Sequence, residues 1–485
     1  MMDVEIILLI PLAAALLSAV SPSRVAAALS MVGSAAVLIA SLPVCITAFD
    51  GAVTAYGIWY VDGLSSLFIL ITGIVGLMSA LYSYGYLKRD EEEGEVGSKD
   101  VRQYHVVFNL FVASMLLVFV LKSVGAMWIA IELTTLVSAF LVGFYRRDKA
   151  LEATWKYLMI CSVGITLGLF GITLVYASSS DVMEGASGAL DWSVLFEAAE
   201  SLDPMLIKMA FIFIIIGFGT KMGLVPMHTW LPDAHSQSPT PISAMLSAAL
   251  LNCALYAILR FQMITEISAP GFASALMIGF GLLSLAVAGA FILISKDIKR
   301  MLAYSSIEHM GIIAIGFGIG TPLAVFGALF HIIAHSLTKP LVFFAAGNVI
   351  QGYGTQEMNE VRGLRKTMPM TSLMLGAGTL AIVGLPPFSV FIGEITILGG
   401  AVDAGMYHVA LLTAVFIILV FAGFTRNIFS MMHGEPKGEV KEPKGMLRAL
   451  PMVMLLLMTV LFGLFMPESV KDVLWSIAEW FTGAI

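Results

Sequence analysis

Residues 206–226 read LIKMAFIFIIIGFGTKMGLVP, an apolar run that carries only Lys208 and Lys221 and closes on Pro226. About 20 apolar residues in a helix span the ~30 Å hydrocarbon layer of a bilayer. A lysine at the centre of such a run costs at least ~2.5–3.5 kcal/mol on insertion scales, so it asks for a function as well as a place. The same pattern recurs along the chain. Hydrophobic residues make up 59% of the 485 positions, before 45 glycines are counted, and charged residues only 12%. An ordinary globular domain has roughly 25% charge. The 26 basic and 33 acidic side chains are too few to cover a water-facing surface of this length. The chain therefore reads as one polytopic membrane domain over 1–485, all-α, rather than as two or three soluble domains.

Apolar runs between charge clusters predict fourteen membrane helices, near 4–20, 25–49, 64–86, 105–121, 124–144, 151–177, 204–224, 240–261, 272–294, 300–318, 321–350, 369–401, 405–430 and 446–466. Asp3 and Glu5 stand where a signal peptide would carry Lys or Arg, so the first run is expected to stay as a helix. An amphipathic tail, 469–482, is expected at the membrane interface. Loops after odd-numbered helices hold 18 Lys and Arg residues, whereas the even-numbered loops and the tail hold 3. That asymmetry puts the odd loops on the cytoplasmic side of the cell (inner) membrane and both termini outside. The stretch 178–203 fits, being acidic with no basic residue. The run DEEEGE (90–95) reads as a solvated inner loop or a docking segment for a partner.

Several functions fall away. The net charge is −7 and no basic cluster is interleaved with aromatics, which excludes nucleic acid as a partner. Cys45, Cys161 and Cys253 are isolated in apolar runs and read as packing residues, not as a disulfide framework or cluster ligands. No P-loop, HExxH or GxSxG is present, and GFGIG (316–320) does not complete a dinucleotide fingerprint. HIIAH (331–335) has the spacing of a metal pair but lacks an adjacent acid, so no metal is expected. With the longest loops near 25 residues, no cofactor site is expected in this chain, and any redox chemistry belongs to another polypeptide.

The informative residues are charges inside the runs. Glu132 lies in AMWIAIELTTLVSAF (126–140), Lys156 in the sixth helix, Lys208 and Lys221 in the seventh, and Glu308 and His309 in the tenth. His331, His335 and Lys339 recur at every fourth position of the eleventh, which places them on one face. Glu394 lies in the twelfth, in GLPPFSVFIGE (384–394). Pro226, Pro340 and Pro387 predict that helices 7, 11 and 12 are broken near Lys221, Lys339 and Glu394. Paired interruptions suggest two inverted five-helix repeats, helices 4–8 (105–265) and 9–13 (270–430), around a midplane ion site. Acids, lysines and histidines in sequence can hand on protons, with Glu132 gating Lys221 and Glu394 as the last station. The plainer reading of Glu132 and Lys221 is a static pair that fixes packing. Glu308 and His309 equally read as a hydrogen-bonded pair between helices. Lys208 reads as a snorkelling side chain, and Lys296, Lys299 and Arg300 as cytoplasmic helix ends.

GFGTKMGLVPMHTWLPDAHSQSPTPISAMLSAALL (217–251), DIKRMLAYSSIEHMGI (297–312), HIIAHSLTKPLVFFAAGNVI (331–350) and GLPPFSVFIGE (384–394) together resemble the antiporter-like proton-translocating subunits. These occur in respiratory complex I, multisubunit sodium/proton antiporters and energy-converting hydrogenases. SSIEHMG (305–311) and LLNCALYAILRF (250–261) bear a finer resemblance to the F-type membrane component of hydrogenase-4 and formate-hydrogenlyase-type complexes. The resemblance spans about 105–430. It implies fourteen helices with two inverted repeats. It also implies a proton or ion path through Glu132, Lys156, Lys221, His331, His335, Lys339 and Glu394, with His228, Asp233, His235, Glu308 and His309 as secondary candidates. Asn252 departs from relatives that carry a lysine there. The implied partners are other membrane subunits and peripheral redox subunits holding iron–sulfur clusters and a NiFe centre or flavin. The implied function is proton translocation, or sodium-linked translocation, in a group 4 hydrogenase-type or related complex I-like assembly. The alternative is a subunit of a multisubunit sodium/proton antiporter.

Overall fold

The structure is a computed structural model that describes residues 4–182, 188–436 and 440–483. Asp3, residues 183–187 of the acidic stretch and the loop charge Lys437 lie outside them. Among the described residues, twelve helices are long and apolar enough to cross a membrane. The bundle runs α1 Val4–Val20, α2 Ser23–Asp50, α3 Gly63–Glu92, α4 Ser98–Val120, α5 Val124–Val142, α6 Asp148–Val182, α7 Pro204–Met222 and α8 Trp230–Gln237. It continues with α9 Thr240–Ser268, α10 Phe272–Ile294, α11 Ile298–Ile319, α12 Pro322–Tyr353, α13 Pro369–Ile382, α14 Ser389–Asp403, α15 Tyr407–Met432, α16 Met446–Leu464 and α17 Glu468–Gly483. The predicted runs 1 and 12 are found as shorter helices, the latter as the pair α13 and α14.

The helices sort by how they are covered. Nearly every residue of α9, α11 and α12 is buried, so these three form the interior. The helices around them bury one side and turn the other outward, as with Trp155, Met159 and Val163 of α6. A helix apolar all round suits either position in a membrane. Local chemistry sets the ends. The Asp203 carboxylate accepts from the backbone N–H groups of Met205 and Leu206, with Pro204 opening α7. Thr321 caps α12 in the same way, ahead of Pro322. At the other end of α7, Gly223 sits at φ 86°, where a left-handed residue closes the helix.

Two expectations need correction. Helix 7 is interrupted as expected, between α7 and α8, and helix 12 between α13 and α14. Helix 11 is not: α12 runs unbroken for 32 residues with Pro340 inside it. Proline removes one backbone N–H, but neighbours packed on every side of α12 hold its turn in register. The chain is also not wholly α-helical. A hairpin pairs β1 Val53–Ala55 with β2 Trp59–Val61 around Tyr56 and Gly57, both at positive φ. The tail helix α17 packs its apolar face on the bundle, with Trp475 stacked on Phe326 at 4.7 Å and the Phe481 ring tilted against Phe317 at 5.2 Å.

Sequence reading also missed a π turn, Leu246–Leu250, inside α9, and a buried ion pair. Arg260 of α9 donates two hydrogen bonds of 2.7 Å to Asp62, which itself caps α3. The guanidinium also lies 4.1 Å from the Trp192 ring and donates to Tyr256 and Ser65. Burial alone would raise the Asp62 carboxyl, but the Arg260 charge and hydrogen bonds outweigh it and hold the group below the ordinary carboxylate range. Removing one partner of such a pair strands the other charge. Arg260→Ala should therefore destabilise the protein by about 3–5 kcal/mol. The effect reads as a lowered unfolding midpoint in detergent, and the double variant with Asp62→Ala should recover much of the loss.

Candidate functional site

Close packing of α6 on α7 builds the first part of the site. A Cβ on Gly217 would collide with the backbone of Gly168, and one on Gly164 would meet Thr220 at 2.6 Å, so only glycine lets these helices approach so near. The approach seats Lys221, in the last turn of α7, among hydroxyls. Its ammonium donates to Thr135 Oγ1 of α5 at 2.6 Å and to the Tyr157 hydroxyl of α6 at 2.8 Å. Tyr157 is bonded in turn to Ser138 at 2.7 Å, and its ring packs on Trp230 at 4.7 Å. Trp230 opens α8 and donates to the Thr220 carbonyl at 2.8 Å, tying the cradle to the break beyond Lys221.

The expected contact between Glu132 and Lys221 is absent among the described ion pairs. Glu132 is half-buried and accepts from Ser162 of α6 at 2.7 Å, leaving its second oxygen buried without a partner. Thr135 lies one helical turn beyond Glu132 on α5, and Thr135 and Tyr157 hold the ammonium instead. Lys156 has a different setting from Lys221. It stands only about 12 Å along α6 from its first residue, and it is not enclosed. Its side chain is 45% exposed and pairs with Glu152 at 2.6 Å and Asp233 at 3.1 Å. Both lie in an open cleft of about 620 Å³ lined by Lys149, Glu152, Lys156, Asp233, Lys296 and Arg300, among others. Arg300 also pairs with Asp233 there. His228 is buried near Tyr304.

The second part of the site forms where α11, α12 and α14 meet. Lys339, fully buried, donates to the Leu302 carbonyl at 2.9 Å and to Ser305 of α11. His309 of α11 and His331 of α12 share a hydrogen bond, Nδ1 to Nε2, at 2.9 Å. The His335 ring lies 5.1 Å from that of His309. Glu308 comes within 3.4 Å of His309 Nε2. Glu394 of α14 joins this group: one donor atom each from His309, His331 and Glu394 lie within 4.8 Å of one another. The charges that the sequence spreads over 86 residues are thus one cluster. The i, i+4, i+8 spacing puts the three residues on one face of α12, and packing turns that face to α11.

The helix between the two parts is α9, which packs on α7 and, through its π turn, on α12. It supplies polar groups in place of the absent lysine. Asn252 donates to the Ala248 carbonyl at 2.9 Å and to Ser336 of α12 at 3.2 Å, and Ser336 donates to the same carbonyl at 3.0 Å. Ser247 and Ser306 join α9 to α11 at 2.7 Å. His235 is fully buried on the Phe343 ring, with neither ring nitrogen partnered. Lys299, read from sequence as a helix end, is 2% exposed and donates to the Ser236 carbonyl at 3.2 Å and to that of Ser238. Its signal was present: position 299 follows the cap Asp297 by two residues, on the side of α11 that turns inward with Leu302 and Ser306. Tyr157 and Thr135 carried no such signal, since hydroxyls in apolar helices are common.

The family described as NADH:quinone oxidoreductase/Mrp antiporter, TM, matches residues 122–420. That described as NADH-Ubiquinone oxidoreductase (complex I), chain 5 N-terminus, matches residues 55–94. The chain is 40% identical over 422 residues to a hydrogenase-4 component F homolog of Methylacidiphilum infernorum, covering 87% of both chains. It is 29% identical to NADH-quinone oxidoreductase subunit N of Desulforudis audaxviator, covering 87% of this chain and 84% of that one. It shares its fold, at a TM-score of 0.88, 22% identity and full coverage of both chains, with a chain of an archaeal membrane-bound sulfane sulfur reductase complex.

The cradle yields a direct expectation. Tyr157→Phe removes one of the two hydroxyls that hold the buried Lys221 ammonium, a loss of about 1–3 kcal/mol for the charged form. The protein should still assemble, while any ion movement it supports in vesicles falls by about 5- to 140-fold, on the scale of 1.4 kcal/mol per factor of ten. Lys156→Ala, at an exposed position, should have the smaller effect.

Proposed function

Because the chain belongs to the NADH:quinone oxidoreductase/Mrp antiporter family of membrane proteins, we propose that it is the proton-translocating subunit of an energy-converting redox complex, of group 4 hydrogenase or related complex I-like type. The observation that carries this reading is the enclosure of Lys221, Glu308, His309, His331, His335, Lys339 and Glu394 inside an apolar bundle. Buried ionisable groups are expensive in a membrane and are retained where an ion passes.

In this reading the cleft around Asp233 and Lys156 admits protons from the cytoplasmic side, and Lys221 takes them up. The Lys221 ammonium exchanges its hydroxyl cradle for Glu132, whose second oxygen is buried without a partner. Discharge then runs past the π turn, where Ser247, Asn252 and Ser336 order the polar groups, to Lys339. The histidines carry the proton on, since each imidazole can accept at one nitrogen and release at the other. Glu394 delivers it outward through the break between α13 and α14. Moving one charge against 100 mV costs about 2.3 kcal/mol, so an ungated path would leak. The separation of Glu132 from Lys221 supports a gate with two arrangements over a fixed ion pair.

The chain holds no cofactor in this reading. Peripheral partners carry the iron–sulfur clusters and the NiFe centre or flavin, and further membrane subunits flank the bundle in a cell membrane, with both termini outward. The family's description also names the Mrp antiporter, which keeps open a sodium/proton exchanger driven by ion gradients alone. Purification of the native complex separates the two: redox metal co-purifying with the chain supports the first, and small membrane subunits without it support the second. Lys221→Ala and Glu394→Gln should each cut coupled proton movement in vesicles at least tenfold while the complex remains assembled. Undiminished pumping in both would reduce the chain to a structural anchor.

A further inference from the structure

HIIAH suggests a metal pair within α12, but the fold divides that motif. His331 meets His309 from α11 and Glu394 from α14, while His335, whose ring lies 5.1 Å from that of His309, has neither ring nitrogen hydrogen-bonded. We propose that His309, His331 and Glu394 form a binding site for a divalent transition-metal cation of the zinc class, and that the cation occupying it arrests the proton path.

The donor set is two imidazoles and one carboxylate, the ligands that zinc takes when it keeps a fourth position open. They come from three different helices and their donor atoms all lie within 4.8 Å of one another, so side-chain rotation must draw them in to bonding distance. The hydrogen bond between His309 Nδ1 and His331 Nε2 is 2.9 Å long. A cation with bonds of about 2.0–2.1 Å needs only a slight opening of that gap to replace the shared proton.

Three further observations point to a cation. The first is the partner of His309's other nitrogen. Nε2 faces Glu308 Oε2 at 3.4 Å, the outer carboxylate that orients a metal-bound histidine. The second is unmet hydrogen bonding. His331 Nδ1 is buried without a hydrogen-bond partner, and the 3.4 Å approach of Glu308 Oε2 to His309 Nε2 makes no hydrogen bond; buried polar groups left so are costly. The third is charge. A dication in a dry interior must be neutralised, and Glu308 and Glu394 supply two carboxylates, set against the Lys339 ammonium buried on the same helix as His331. Glycines hold the arrangement tight. A Cβ on Gly393 would fall 2.8 Å from His331 Nδ1, and Gly384, at φ 68°, leaves room for the Glu394 carboxylate. Glu394 is 6% exposed and adjoins the break, whose Pro386 and Pro387 are exposed, giving the site a way in.

Metal ligands must be deprotonated, so binding releases protons and competes with them. Arrest of transport rests on the proton-path reading above; metal binding does not, and the two are measured separately. The full-length protein in lipid nanodiscs is titrated with Zn²⁺ and, for its visible spectrum, with Co²⁺. One zinc per chain is expected, with an X-ray absorption shell of two imidazoles and oxygen. His331→Asn and Glu394→Gln should each weaken zinc at least tenfold, while His335→Asn and the exposed His408→Asn bind as the parent does. Lys221→Ala should stop transport yet keep its zinc, which separates failure of the site from failure of the path. Glu394→Gln, nearly the same shape, serves if His331→Asn does not fold. Absence of stoichiometric zinc, or zinc held equally by both ligand variants and the parent, overturns the site. Zinc bound at the site with proton movement by the assembled complex undiminished overturns the arrest.

Discussion

Water solvates charge far better than hydrocarbon does, and this difference governs the whole molecule. Each lysine, histidine or glutamate at membrane depth must be walled off from lipid and given polar neighbours, or it would neutralise or be expelled. The walling-off explains why α9, α11 and α12 are buried on all sides while the helices around them present apolar faces outward. It also explains why the ammonium groups find oxygens. Lys221 takes two hydroxyls, Lys339 a carbonyl and a hydroxyl, and Lys299 two carbonyls. Compensation of this kind keeps a charge in place without a counter-ion pressed against it, and a charge held by neutral dipoles is freer to exchange partners than one locked in an ion pair.

Most backbone polar groups in a membrane helix are consumed by the helix itself. Carbonyls become available to side chains where the helical pattern is disturbed. The last turn of α8 and the gap before α9 provide those of Ser236 and Ser238 for Lys299, and the π turn of α9 provides that of Ala248 for Asn252 and Ser336. π turns are often found at functional sites, and this one sits between the two charged groups. Where regularity persists, as through Pro340, the side chains of α12 keep their fourfold spacing, so that His331, His335 and Lys339 stay on one face. Interruption and regularity thus have different tasks: the first exposes backbone dipoles, the second keeps titratable side chains aligned.

The two ends of the site differ in how they meet water. Around Asp233 the charges are exposed and paired in a cleft wide enough for bulk solvent. Around Glu394 they are enclosed, and several of their polar atoms have no protein partner. An open mouth lets ions equilibrate quickly, whereas a closed cluster of under-satisfied donors and acceptors holds whatever ion or water reaches it. That contrast suits a path loaded freely at one end and controlled at the other, and it makes the closed end the natural place for a competing cation.

Reading residues alone was enough for the membrane class and for most helix positions, because burial in lipid demands long apolar runs and composition records them directly. It also singled out Lys221, Lys339, the histidine stripe and Glu394 as titratable groups that the fold buries, since a charge within such a run is conspicuous wherever the chain goes. Depth and partnership were not legible. Lys156 and Lys299 look alike as basic residues near helix starts, yet one lies open in a cleft and the other is sealed beneath Ser236 and Ser238. Glu132 and Lys221 look like a pair, yet Thr135 and Tyr157 hold the lysine. His331 seems to belong with His335, its neighbour along the helix, and instead joins residues 22 positions before it and 63 after it. Periodicity specifies which face of a helix a side chain occupies, but which other helix covers that face is decided by packing among the helices, and packing is a property of the folded bundle.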